Sequence, residues 1–275
     1  MGLFYNNNVA GSGVAKNGRR KKPFFRFWEL FLNKFWTFFR MNLIYVLACV
    51  PIVTFGPATA ALTAMMRNVY LERSQFIWHD FWQEFKKNFK QSFLIGIADL
   101  AAIAIALVTY RQFANAPETE TTLKAAFVGS FAIQAVFLLM NFYIYPQIVA
   151  LDMKLGGILK NSLILVFVNV PGELIVVAFL VGFVTLLVFF LFPAVFFLPF
   201  VPGAWMVFLS VFCCYPAIQK LIINPYYEQS GELNPEIPDW ELEDEEDAAV
   251  FEDRGGSEEE IDLRGEKKKE RRIIK

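Results

Sequence analysis

One acidic residue, Asp99, lies well inside a long apolar segment, Ser92 to Tyr110, and is the strongest chemical candidate in the sequence. A charge held within a bilayer costs about 3 kcal/mol or more, so such residues by default suggest a functional site. Asn141 and Gln134, in a later apolar segment, could complete a proton or cation site. A structural role is the favoured alternative, because Asp99 follows Gln91 by only eight residues and water is therefore near.

The other residues that enzymes use for chemistry are isolated. His79 is the only histidine, and Cys49, Cys213 and Cys214 have no CxxC or His/Cys spacing for a metal. The sequence has no Ser/His/Asp set and no GxxxxGK[ST] phosphate loop. We therefore expect no enzymatic activity, no metal, no cofactor and no nucleic-acid partner.

The composition is that of a membrane protein. Of 275 residues, 56% are hydrophobic and 17% aromatic, whereas soluble domains average about 45–50% apolar residues. The excess lies in long runs, which predicts an all-α polytopic helical bundle in the lipid bilayer of the cell membrane, with about five to six membrane segments. The spans are expected at 92–110, 125–146, 161–171 continuing through a Pro171-Gly172 kink into 174–192, and 203–223.

The bundle is expected to be organised around residues 42–70, which are apolar and uncharged from Leu43 to Met66. Pro51 and the Gly56-Pro57 pair interrupt this stretch, because proline removes a backbone donor and clashes with the preceding turn. The two resulting arms, 35–50 and 57–71, are each about 22–24 Å long, which is less than the roughly 30 Å hydrocarbon core. A short spanning hairpin and a re-entrant hairpin both remain open.

Small residues recur along the second arm at Gly56, Ala60 and Ala64. This spacing places them on one face of a helix, where they would let another helix approach closely inside a bilayer. We therefore expect this stripe to be a packing face, either within the chain or for a partner.

Charge and aromatic residues predict the topology. Residues 23–40 and 67–91 carry aromatic residues at helical spacing and are expected to lie at the membrane interface. Basic residues fall in the N-terminal region, in 67–91 and in 152–160, which predicts that both termini are cytoplasmic.

The chain divides into three expected regions. Residues 1–22 form a flexible basic tail, residues 23–227 the membrane domain, and residues 228–275 a disordered acidic tail. The division is visible in the charges, with 18 basic against 9 acidic residues up to residue 227 and 8 against 18 after it.

Three blocks of residues carry a family resemblance. They are Asn33-Lys34-Phe35-Trp36, the run Gly56-Pro57-Ala58-Thr59-Ala60-Ala61-Leu62, and Asp80-Phe81-Trp82 continuing to the Asn88-Phe89-Lys90 block. In this combination residues 28–225 resemble the YesL-like integral membrane proteins of bacteria, a domain of unknown function. Members are often encoded beside carbohydrate ABC importers, so the resemblance implies an accessory role in carbohydrate uptake.

Two functions are thus expected. The first is an accessory or assembly component that contacts the permease subunits of an ABC importer. The alternative is a small secondary transporter or channel that uses Asp99 and the broken hairpin at 51–57, since discontinuous helices are where such proteins bind solutes.

Overall fold

The computed structural model of the chain describes residues 22–115, 121–189, 202–231 and 234–236. These residues contain helices and turns and no strand, which confirms the all-α class. The helices are α1 Pro23–Asn33, α2 Phe35–Ala48, α3 Phe55–Tyr70, α4 Ile77–Lys87, α5 Phe89–Asn115, α6 Thr121–Ala150, α7 Leu155–Val168, α8 Val170–Phe189, α9 Pro202–Ile218 and α10 Asn224–Ser230.

Three stretches of helix are long and apolar enough to cross a membrane, namely Phe89–Asn115, Lys124–Ala150 and Gly203–Ser230. Helix α7 and the first part of α8 are together long and apolar enough for a fourth crossing. The two are bent by 89° relative to each other, so the crossing would be one broken span. The protein is therefore a helical membrane protein with three to four candidate spans among the described residues. The expected count of five to six segments stays a prediction.

The break between α7 and α8 lies at Asn169, two residues before the kink expected at Pro171-Gly172. Pro171 occupies the first turn of α8, where a backbone N–H would have no partner within the helix, so proline is tolerated there. Gly172 is needed for a different reason. A Cβ at this position would lie 2.8 Å from the carbonyl oxygen of Cys213, so the start of α8 packs directly on the backbone of α9.

The hairpin expected at residues 35–71 is present as α2 and α3, joined by a 3₁₀ turn at Ile52–Thr54. The Thr54 hydroxyl closes this turn by donating to the Ala48 and Pro51 carbonyl oxygens, each at 2.6 Å. Pro51 thus marks the break, as expected. Pro57 does not break the chain, because it lies in the first turn of α3 and α3 already begins at Phe55.

Helix α3 is the centre of the core. Twelve of its 16 residues are buried, and it packs against α2, α4, α5, α6 and α9. The stripe of small residues lies inside the chain, with Gly56 against α5, and with Ala60 and Ala64 in a cluster that includes Ile95 of α5 and Ile144 of α6. The close helix approach that this spacing predicts is thus made by neighbouring helices of the same chain.

Part of the aromatic surface of α1 also packs on protein. The rings of Phe27 and Phe208 are stacked with centroids 5.2 Å apart, and those of Phe31 and Trp205 with centroids 5.4 Å apart. Since Phe208 and Trp205 belong to α9, this face of α1 is buried. The aromatic residues of α1 that remain exposed are Phe24 and Phe25, at its beginning, and Trp28.

Three basic segments meet at one end of the bundle, which we call the basic end. Arg26 of α1 donates to the Tyr70 carbonyl oxygen at 3.0 Å, Gln91 of α5 to the Met153 carbonyl oxygen at 3.0 Å, and Arg67 of α3 to the Val149 carbonyl oxygen at 3.0 Å. The N-terminal region, residues 67–91 and the α6–α7 connection therefore share one side. That this side faces the cytoplasm stays a prediction.

The start of the acidic tail packs against the membrane domain. Helix α10 runs past the boundary expected at residue 227, and residues 234–236 contact the basic end. The Tyr215 hydroxyl donates to the Glu236 carboxylate, and Arg67 forms a salt bridge with it at 3.5 Å. Of the tail expected to be disordered at 228–275, residues 228–231 and 234–236 are described. The rest of that tail, and the flexible tail expected at 1–22 apart from Lys22, lie outside the described residues.

Candidate functional site

Asp99 of α5 is held by two side chains of α6. Asn141 Nδ2 donates to Asp99 Oδ1 at 2.6 Å, and the Tyr145 hydroxyl donates to Asp99 Oδ2 at 2.7 Å. Asn141 and Tyr145 are four residues apart and therefore point from the same face of α6. Asp99 is 8% exposed. Both of its oxygens have a donor, so the buried carboxylate is oriented even though the described residues provide no cation beside it.

The structure brings some of the expected partners of Asp99 together and adds one. Asn141 contacts the carboxylate, as the sequence suggested. Gln134 donates instead to the Ser130 hydroxyl oxygen at 3.0 Å and contributes to the same cavity two turns away. Tyr145 was not anticipated. Its position four residues after Asn141 was the available signal, because that spacing puts it on the same helix face.

Asp99 lies in the wall of a cavity of about 430 Å³ between α3, α5, α6, α8 and α9. Most of its wall is apolar, with rings from Phe55, Phe131, Phe137 and Phe142. Its polar side chains are Thr59, Thr63, Asp99, Gln134, Asn141, Tyr145 and Ser210. The cavity thus combines a single carboxylate with aromatic walls inside the membrane-spanning part of the chain.

The cavity presents acceptors of hydrogen bonds. Asn141 Oδ1 is buried and has no hydrogen-bond partner among the described residues. Pro146 has no N–H to give to the carbonyl group of Phe142, and both residues line the cavity. The hydroxyls of Thr59 and Thr63 donate back to helix carbonyl oxygens, at 2.8 and 2.7 Å, so each oxygen can act only as an acceptor towards other groups, and that of Thr59 already accepts from the Tyr45 hydroxyl at 3.3 Å. These groups complement a cation or a solute that carries donors.

The residues expected to be functional in the hairpin are not in this cavity. Pro51 is exposed at the turn, and Pro57 is buried in the first turn of α3. Gly56, Ala60 and Ala64 pack against neighbouring helices. The hairpin contributes to the cavity through other α3 residues, namely Phe55, Thr59 and Thr63.

A second buried acid, Glu173, went unnoticed in the sequence because it follows the Pro171-Gly172 pair at the start of an apolar run. It is 4% exposed, and its Oε1 atom has no hydrogen-bond partner in the described part of the chain. Its neighbour Tyr143 lies on α6, between the two residues that hold Asp99. Asp99 is therefore not the only acid buried among these helices.

No metal centre is found in the part of the chain that the structure describes, since no three His, Cys, Asp or Glu side chains are grouped there. The fold and the cavity define a helical membrane protein with one oriented carboxylate in an apolar cavity between its helices.

Comparison with protein families gives one match. The family described as "Protein of unknown function, DUF624" matches residues 32–110. That range covers α2 to most of α5, including Asp99 and the blocks that carry the YesL-like resemblance, but neither Asn141 nor Tyr145. Comparison with curated proteins and with solved structures found no match.

Proposed function

We propose that the chain is a small transporter that binds an organic cation at Asp99, within the membrane. The observation that carries this proposal is the carboxylate of Asp99, oriented by Asn141 and Tyr145 and facing a cavity of about 430 Å³. A buried charge that is held in place beside an open space provides what a solute of opposite charge needs.

The wall of the cavity supports a cation with an apolar body. Aromatic rings attract cations through their negative faces, and four phenylalanine rings line the space beside the carboxylate. The acceptors at Asn141 Oδ1 and at the Phe142 carbonyl add negative potential and provide no donor for an anion. A small amine or quaternary ammonium compound therefore matches the cavity better than a carboxylate or a phosphate.

The helices around the cavity support movement of a solute. Two of the helices that line it follow a break: Phe55 begins α3 after the 3₁₀ turn, and Val176 belongs to α8, which follows the 89° bend. Interrupted helices form the solute sites of many secondary transporters. Transport is therefore proposed in preference to binding alone.

The accessory role beside a carbohydrate ABC importer has its support in the family resemblance alone. The stripe at Gly56, Ala60 and Ala64, which could have been a docking face, is occupied by helices of the same chain. Contact with permease subunits and the YesL-like name remain proposals on that basis, and recovery of permease subunits by crosslinking in native membranes would support the contact. The cytoplasmic location of both termini remains a proposal based on the placement of the basic residues.

The proposal is tested by binding to the purified protein in nanodiscs. The probe is phenethyltrimethylammonium, which carries a permanent charge, and its matched anion is 3-phenylpropionate. We expect the cation to bind and the anion not to. Asp99→Asn should weaken binding by about 10–100-fold, since a hydrogen-bonded or paired charge contributes about 1.5–3 kcal/mol.

The matched control is Asp152→Asn, which removes an exposed carboxylate outside the cavity and should leave binding unchanged. Equal affinity for the cation and the anion would contradict the proposal. So would unchanged binding of the cation in the Asp99→Asn protein.

A further inference from the structure

A second cleft, of about 880 Å³, lies at the basic end, between the first turns of α2 and the connection from α3 to α4. Three basic side chains line it, Lys34 and Arg40 from the α2 region and Arg73 from the connection. No acidic residue is among the described residues of its wall. Cations from two distant parts of the sequence thus converge on one space without a counter-charge in it.

Two acids of the same segment do not belong to the wall of the cleft. Glu72 forms a salt bridge with Arg26 at 3.2 Å, and Asp80 Oδ2 accepts the Phe76 N–H at 2.8 Å at the start of α4. Within the described residues, neither Lys34, Arg40 nor Arg73 forms a salt bridge. Among the described residues, the wall of the cleft thus carries three basic side chains and no acid, which favours an anion.

The basic side chains are held in place without being neutralised. Arg40 Nε donates to the Trp36 carbonyl oxygen at 3.3 Å, and Arg73 donates to the carbonyl oxygen of Pro235. Both partners are neutral carbonyl groups, so each guanidinium keeps its full charge and has further N–H groups to offer. The Ser74 hydroxyl is another donor in the wall. A phosphate group, with several acceptor oxygens, complements these donors.

The cleft wall includes two exposed aromatic side chains, Phe76, which is 82% exposed, and Trp78. Trp36, which lies between Lys34 and Arg40 in sequence, is 71% exposed. Aromatic residues in such positions are typical of the headgroup level of a bilayer, where their rings are partly wet. Leu43 lies in the cleft wall, and Leu47 lies one turn further along α2. Both side chains are exposed. This face offers an acyl chain a path away from the cleft.

We propose that the cleft binds the phosphate headgroup of an anionic phospholipid, with an acyl chain along α2. A free phosphate would use the cations but would leave the exposed aromatic and leucine side chains without a role. A zwitterionic choline lipid would bring its own cation towards three others. This site is separate from the Asp99 cavity and does not depend on the proposed transport.

The test is lipid binding by native mass spectrometry of the detergent-purified protein, titrated with phosphatidylglycerol or phosphatidylcholine. We expect one phosphatidylglycerol to bind tightly to the unmodified protein, and phosphatidylcholine to bind at least about tenfold more weakly. Lys34→Gln combined with Arg40→Gln should reduce phosphatidylglycerol affinity at least about tenfold, because each basic residue near an anionic lipid contributes to attraction. Glutamine keeps part of each apolar stem, and an unchanged melting temperature would show that the variant is folded.

The matched control is Lys86→Gln combined with Lys90→Gln, which removes two exposed charges outside the cleft. It should retain the bound lipid. An equal loss in the control would mean that only general surface charge attracts lipid, which overturns the site. Displacement of phosphatidylglycerol by an equal concentration of inorganic phosphate would assign the cleft to free phosphate and also overturn the proposal. Binding of phosphatidylcholine as tight as that of phosphatidylglycerol would also overturn the proposal.

Discussion

Gly56 of α3 and Gly96 of α5 face each other so closely that neither position has room for a side chain. A Cβ on Gly56 would lie 2.8 Å from Gly96 Cα, and a Cβ on Gly96 would lie 2.6 Å from Gly56 Cα. Each would therefore meet backbone, which cannot move aside as a flexible side chain could. This contact sets the distance between the central helix and the span that carries Asp99.

We predict that Gly56→Ala or Gly96→Ala destabilises the protein by about 2 kcal/mol or more, since overpacking a core typically costs 1–3 kcal/mol. Gly129→Ala in α6 is the control, because nothing lies within 4 Å of its added Cβ. Alanine there should be neutral or stabilise by about 0.5–1 kcal/mol through helix propensity. Thermal unfolding in detergent measures the difference. A similar effect at all three positions would contradict the close contact.

The hydrogen bond from Tyr145 to Asp99 gives a second prediction. Tyr145→Phe removes one of two donors to a buried carboxylate and should cost about 1.5–3 kcal/mol, as hydrogen bonds to charged groups do. Tyr110→Phe, at an exposed position on α5, should cost little. Melting temperatures of the two variants, compared with that of the unmodified protein, test this. Equal melting temperatures would indicate that the hydroxyl of Tyr145 does not support Asp99.

The salt bridge between Arg67 and Glu236 gives a third prediction. Arg67 is 14% exposed, and Glu236→Gln would leave its charge without a counter-charge. Breaking a buried pair in this way costs about 3–5 kcal/mol, of which glutamine recovers part through its acceptor oxygen. The control is Glu72→Gln, because the salt bridge of Glu72 with Arg26 is more exposed. We expect this variant to lose less than about 1 kcal/mol in free energy of unfolding. A smaller loss for Glu236→Gln than for Glu72→Gln would show that the tail is not anchored there.

Glu173 gives a fourth prediction, with the opposite sign. Its buried Oε1 atom has no hydrogen-bond partner among the described residues, and the polar side chain beside the carboxylate is the neutral Tyr143. Because a buried acid without an opposite charge beside it opposes folding, Glu173→Gln should raise the melting temperature. A lower melting temperature would mean that the charge of Glu173 makes a favourable interaction that helps to hold the α7–α8 break.

Local rules explain what the sequence predicted correctly. Proline chemistry located the break at Pro51, and the spacing of Gly56, Ala60 and Ala64 indicated a close helix contact. The same rules misplaced the breaks expected at Gly56-Pro57 and at Pro171-Gly172. Pro57 and Pro171 each fall in the first turn of a helix, where proline is tolerated.

Contacts between distant parts of the chain could not be predicted in this way. Nothing in the hairpin indicates that its glycine meets Gly96, or that Tyr145 joins Asn141 at Asp99. The docking of Glu236 on Arg67 links residues 169 positions apart, and acidic composition alone indicated a solvated tail. Such pairings are set by how helices cross, which periodicity within one helix does not specify.

The most direct test of the proposed function is uptake of radiolabelled phenethyltrimethylammonium by proteoliposomes. Its permanent charge keeps passive leakage low. We predict uptake above that of empty liposomes for the unmodified protein and for Asp152→Asn, and background uptake for Asp99→Asn. Uptake by the Asp99→Asn protein at the rate of the unmodified protein would contradict the assignment of Asp99 as the binding residue.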